Sequence, residues 1–95
     1  MGYNIVVTPE AEDTLTSVHK FIFNNFGKRS ANTFLQQADK IISMISEMPL
    51  MYKAAPFDET VRIGFISKQT SIFYRVKEET VELLFFWDNR QEALV

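Results

Sequence analysis

Three stretches decide the fold: Val61-Arg62-Ile63-Gly64-Phe65, Ser71-Ile72-Phe73-Tyr74-Arg75-Val76 and Val81-Glu82-Leu83-Leu84-Phe85-Phe86-Trp87. In the first two, apolar residues alternate with other types, the period of a strand. The third is almost wholly apolar and stops at Asp88-Asn89-Arg90. Short polar turns, Ser67–Thr70 and Lys77–Thr80, separate the three. Turns this short predict an antiparallel meander. A strand apolar on both faces needs cover on both sides. The last strand therefore raises two questions: what lies against its second face, and what Arg90 does.

Working outward, Tyr3 to Val7 reads as a short strand. Thr8 then supplies an N-cap hydroxyl and Pro9 suits the first helical position. Glu10, Glu12 and Asp13 complement the positive end of the helix dipole. Ala11, Leu15, Val18 and Ile22 follow at spacings of three and four. Asn24-Asn25-Phe26-Gly27 stops this helix, with Gly27 as the left-handed residue after it. A second helix runs from about Arg29 to Glu47, its apolar face formed by Ala31, Phe34, Leu35, Ala38, Ile41, Ile42, Ile45 and Met48. Pro49 ends it. The short link predicts an antiparallel helix hairpin. Leu50 to Glu59 lacks periodicity and reads as a loop anchored by aromatics such as Tyr52 and Phe57. The expected fold is α+β, strand–helix–helix–strand–strand–strand, in one domain spanning 1–95. The helix hairpin packs on one face of a small curved antiparallel sheet, and the other face is open or meets a partner.

The 95 residues suffice for one core and no more. Hydrophobic residues make up 46% and charged residues 23%, as in a globular domain. Nine Phe leave large side chains over for a contact surface. There is no Cys, which excludes disulfides and thiolate-bound metals and fits a reducing cytoplasm. No apolar run approaches a membrane span, and Met1-Gly2-Tyr3-Asn4 does not open like a signal peptide. The net charge is −2, not the basic balance of a nucleic-acid-binding domain.

Three glycines are too few for a phosphate-cradling loop. His19 is the only His and borders the apolar stripe of the first helix without a nucleophile signature beside it. The carboxylates sit in turns and caps. Asp58-Glu59 and Glu78-Glu79 read as solvated charge, not as a catalytic pair on facing strands. No cofactor and no metal is expected. Arg62, Arg75 and Arg90 stand out, because they fall on or just after three different strands. Arg62 and Arg75 occupy positions between the apolar alternators and are placed to share the sheet face away from the helices. Guanidinium forks bind phosphate or carboxylate in bidentate fashion. The plainer reading is that they pair with nearby acids or solubilise a surface.

Tyr3–Val7 with Thr8-Pro9-Glu10-Ala11-Glu12, the Phe26-Gly27 stop followed by Ala31 and Phe34, then Pro49, Val61-Arg62, Ile72-Phe73-Tyr74-Arg75-Val76 and Leu84-Phe85-Phe86-Trp87-Asp88-Asn89-Arg90 together resemble the RelE/ParE superfamily. Its members include plasmid-stabilisation proteins and bacterial toxins of type II toxin–antitoxin systems. The resemblance covers nearly the whole chain in order. It implies a cytoplasmic toxin held inactive by a cognate antitoxin protein. It also implies one of two activities. ParE-like members inhibit DNA gyrase by binding it. RelE-like members cut mRNA on the ribosome with basic side chains, and here Arg62, Arg75 and Arg90 would be the catalytic candidates. Gly64 and Ser71 stand where a nuclease would gain from further basic residues, and no Tyr or His follows Arg90. In-line attack by a ribose hydroxyl needs a proton acceptor and a donor as well as positive charge. The ParE-like reading asks only for a protein-binding surface. A third reading is a degenerate member that keeps antitoxin binding without toxicity.

Overall fold

The computed structural model describes residues 2–92. Strand β1 (Asn4–Val7) leads into α1 (Pro9–Phe26) and α2 (Lys28–Glu47). Four strands follow, β2 (Ala54–Ala55), β3 (Asp58–Phe65), β4 (Thr70–Lys77) and β5 (Thr80–Asp88), and then a short α3 (Asn89–Glu92). The five strands form one sheet in the order β1-β5-β4-β3-β2. The expected helix hairpin, meander and α+β class are present. The sheet itself is mixed rather than antiparallel throughout, because β1 pairs parallel to β5 with Asn4 opposite Thr80 and Val7 opposite Leu83. Two helices and the whole meander separate the two strands in sequence, so no local turn signals this pairing.

Helix α1 starts as its cap residues dictate. The Thr8 hydroxyl accepts from Ala11 N (3.1 Å), and Pro9 stands in the first turn. Gly27 ends α1 and begins α2 at once. Its N–H donates to Phe23 O (3.0 Å) and its carbonyl accepts from Ala31 N (3.1 Å). The hairpin thus turns on one residue, at φ 92 and ψ 174. The φ is positive as anticipated, but the ψ is extended rather than left-handed helical, in a region that essentially only glycine enters.

The core lies between the helices and one sheet face. Ala11, Val18 and Ile22 of α1 and Ala31, Phe34, Ala38 and Ile45 of α2 meet Ile72 and Tyr74 of β4 and Val81, Leu83 and Phe86 of β5. β5 is largely apolar, and it changes phase within its length. Phe73 pairs with Phe85 but Tyr74 pairs with Leu83, which leaves Leu84 as an extra residue in a β-bulge. Val81 and Leu83 point to the helices before it, and Phe86 and Asp88 after it. The inward positions of the two stretches are out of step. The bulge carbonyls also fasten α1: the Thr8 hydroxyl donates to Leu83 O (2.7 Å), with Leu84 O at 3.2 Å. Beyond the end of β1, Thr14 replaces the missing strand partner. Its hydroxyl accepts from Phe86 N (2.8 Å) and donates to Glu10 O (2.7 Å).

At the opposite edge the loop after α2 is tied to the meander. Tyr74, with 0% of its surface exposed, donates its hydroxyl to Pro49 O (2.8 Å). Burial pushes its pKa upward, against the opposing pull of the Arg62 charge. The Tyr52 ring lies over Gly64, where an added Cβ would stand 3.0 Å from two ring carbons.

Candidate functional site

The sheet face turned away from the helices carries most of the molecule's surplus aromatic surface. Cross-strand partners share a face, so the pairings Ile63–Phe73–Phe85 and Phe65–Ser71–Trp87 line up three strands of outward side chains. Phe73 and Phe85 stack at 4.3 Å between ring centroids. Phe57, delivered by the β2–β3 turn, stacks on Phe73 at 6.2 Å. Tyr52 meets Phe65 edge-on at 6.0 Å. Phe57, Phe65 and Trp87 remain 69%, 58% and 44% exposed. Between the loop and this face runs a groove of about 700 Å³, walled by Met51, Tyr52, Ile63, Phe65, Phe73 and Trp87. Among the described residues, Lys53 is the one charged side chain of its lining. The second side of the last strand is thus an open aromatic face, partly roofed by Phe57.

The three arginines are not brought together. Arg62 pairs across the strands with Tyr74, and Arg75 is the next residue along β4. The two therefore point to opposite faces, not to the shared outer face that their spacing suggested. Arg62 turns to the helix side, where its guanidinium Nη1 donates to Tyr52 O and holds the loop. Arg75 lies on the open face, 3.7 Å from Asp58 and donating to the Thr60 hydroxyl (3.2 Å). Hydrogen bonds from the Thr60 side chain and N–H keep the Asp58 carboxyl below its ordinary pKa, and Arg75 adds to that effect.

Arg90 sits on the helix side, beyond the end of β5. Its Nε donates to Asp88 Oδ1 (3.0 Å) and its Nη2 to Asp88 Oδ2 (2.8 Å), while its backbone N–H also reaches Oδ1 (2.9 Å). The guanidinium lies over the rings of Phe26 (5.0 Å) and Phe21 (5.8 Å). Asp88 is buried and takes a further bond from the Thr70 hydroxyl (2.6 Å). Burial alone would raise its pKa. The donors from Arg90 and Thr70 outweigh burial and hold it below the usual carboxylate value. The same pairing raises the pKa of Arg90. Asp88 and Thr70 were not singled out from the sequence. The available signal was an acid two residues before an arginine at a strand end. His19 is half-buried, with its ring 6.4 Å from that of Phe23. Ala93, Leu94 and Val95, where a further site residue was sought, lie outside the described residues.

Residues 5–93 match the family described as ParE toxin of type II toxin–antitoxin system, parDE. The chain belongs to this family and is a toxin of a type II toxin–antitoxin system. A chain of the chromosomal ParDE system from P. aeruginosa has the same fold at a TM-score of 0.76 and 16% identity, over 90% of this chain and 95% of that one. A chain of the RelBE2 complex from Mycobacterium tuberculosis superposes at 0.62 and 15% identity, over 93% and 99%. One from the E. coli DinJ-YafQ complex superposes at 0.65 and 5% identity, over 96% and 97%. At these identities the likeness is one of fold. No curated protein sequence matches the chain.

Proposed function

We propose that this toxin is ParE-like: it inhibits growth by binding a target protein, for which the family suggests DNA gyrase, and a cognate antitoxin neutralises it. One observation carries the reading. The open sheet face is aromatic, and Arg62, Arg75 and Arg90 are dispersed, each engaged with its own internal partner. RNA cleavage needs charge neutralisation and proton transfer at one point. Asp58, Tyr74, Asp88 and Arg90, whose pKa values are displaced by burial or by their own internal partners, lie outside the lining of the groove. An exposed apolar face of this kind is what a protein partner buries. An antitoxin segment that orders on binding would hide it until release.

The test is induction of the chain alone in bacterial cells. Growth arrest with gyrase-dependent DNA breaks and intact mRNA is expected, relieved when the antitoxin is co-expressed. Codon-phased mRNA cleavage would overturn the proposal in favour of a ribosome-dependent nuclease. Undisturbed growth with soluble protein would place the chain among degenerate members.

A further inference from the structure

A second cleft, of about 410 Å³, lies on the helix side between the start of α2 and the β3–β4 turn. Two guanidinium groups line it, Arg29 and Arg90, and among the described side chains no carboxylate does. This is notable in a chain with 12 acidic and 10 basic residues. Arg90 is held from behind. Its Nε and Nη2 bond to Asp88, and its flat face rests on Phe26 and Phe21. Among the described residues its Nη1 has no hydrogen-bond partner, and neither have the side chains of Arg29, Ser30, Thr33 and Gln37.

We infer that this cleft is a carboxylate-binding site that takes an acidic side chain of a protein partner. The inference rests on the reading that the toxin works through protein contacts. Charge narrows the ligand class. Asp88 already compensates Arg90, so among the described side chains of the cleft Arg29 is the surplus cation. A monoanion balances that, whereas a phosphate dianion leaves an excess of negative charge over the buried Asp88, and the protein-binding reading favours a carboxylate over a phosphodiester of the same charge. Shape points the same way. The lining joins apolar side chains, Ile22 and Phe34, which suit an aliphatic stem, to the donors of Arg29, Arg90, Ser30 and Thr33, which suit a carboxylate head. Arg90 is ordered in advance, so binding costs little of the side-chain freedom that a long cation usually loses.

The experiment is an NMR titration of the full ¹⁵N-labelled chain with three probes. These are N-acetyl-glutamate N-methylamide, its glutamine counterpart and inorganic phosphate. The glutamate probe should shift the Nε signals of Arg29 and Arg90 and the amides of Ser30 and Gln69 saturably, and the neutral glutamine probe should bind about tenfold more weakly or not at all. Arg29→Gln should weaken the glutamate probe about tenfold and leave the melting temperature unchanged, because Arg29 is exposed. Lys40→Gln, a remote exposed cation, should change nothing. Equal response to the glutamine probe, undisturbed cleft signals, or unaltered binding in Arg29→Gln would overturn the inference. Tighter binding of phosphate would also overturn it and assign the cleft to phosphate. Gyrase damage in cells beside a flat titration would remove the inference alone. Carboxylate binding without gyrase damage would remove the gyrase reading alone.

Discussion

Gly64 is small because the space above it is taken. An added Cβ would meet the Tyr52 ring at 3.0 Å and Ile72 Cγ2 at 3.2 Å. Gly64→Ala should therefore destabilise the fold by about 1–3 kcal/mol through overpacking, read as a lower urea midpoint at unchanged slope. The ion pair at the end of β5 makes a pH-dependent prediction. The Asp88 pKa is lower in the folded chain than in the unfolded one, so its contribution is present above about pH 4 and is lost as pH falls through the folded value. Arg90→Ala removes the main donors while the carboxyl stays buried, so the folded pKa should rise. Acid unfolding, followed by circular dichroism, should then begin at higher pH. At neutral pH the same change should cost about 1–3 kcal/mol, because it leaves a buried charge short of partners. Loss of activity in Arg90→Ala is therefore informative only beside a stability measurement. Arg90 stood out in the sequence as a charge after an apolar run. Its partner Asp88 stands two residues earlier, a weak local signal, but the facing of Arg62 and Arg75 could not be read there, because register sets which side each residue takes.

The helices were legible because their signals are local: Thr8 and Pro9 at one end, Gly27 at the turn, and an apolar stripe between. The meander was legible from alternation and its two short turns. Three features were not. β2 is two residues long, the β1–β5 pairing is remote in sequence, and the Leu84 bulge lies inside a run where every residue is apolar. That run is apolar on both faces in its second half, with Phe86 inward and Phe85 and Trp87 outward, while the bulge shifts the phase between its halves. Two substitutions test these devices. At Gly27 nothing lies within 4 Å of an added Cβ, so the cost of Gly27→Ala is backbone strain alone. It should amount to about 1–3 kcal/mol in chemical denaturation. Thr14→Val keeps the shape of the side chain but leaves Phe86 N–H without its acceptor at the edge of β5. A loss of about 1–3 kcal/mol is expected, with faster amide exchange at Phe86.

Across the whole molecule, the two sheet faces divide the work. The helix face holds the core and the anchored ion pair, while the open face keeps Phe57, Phe65 and Trp87 in solvent. Phe65 packs edge-on against Tyr52 and Trp87 is more than half covered, so the double change Phe65→Glu and Trp87→Glu should cost about 1–2 kcal/mol. It should abolish growth inhibition in protein that circular dichroism shows to be folded. The most direct test reconstitutes both candidate targets with the purified toxin. One reaction contains gyrase, ATP and supercoiled plasmid, and the other contains ribosomes translating a defined mRNA. A protein-binding toxin should trap cleaved plasmid in the first, lose that effect in the double variant, and leave the mRNA whole in the second. Codon-phased cuts in the mRNA with gyrase untouched would contradict it.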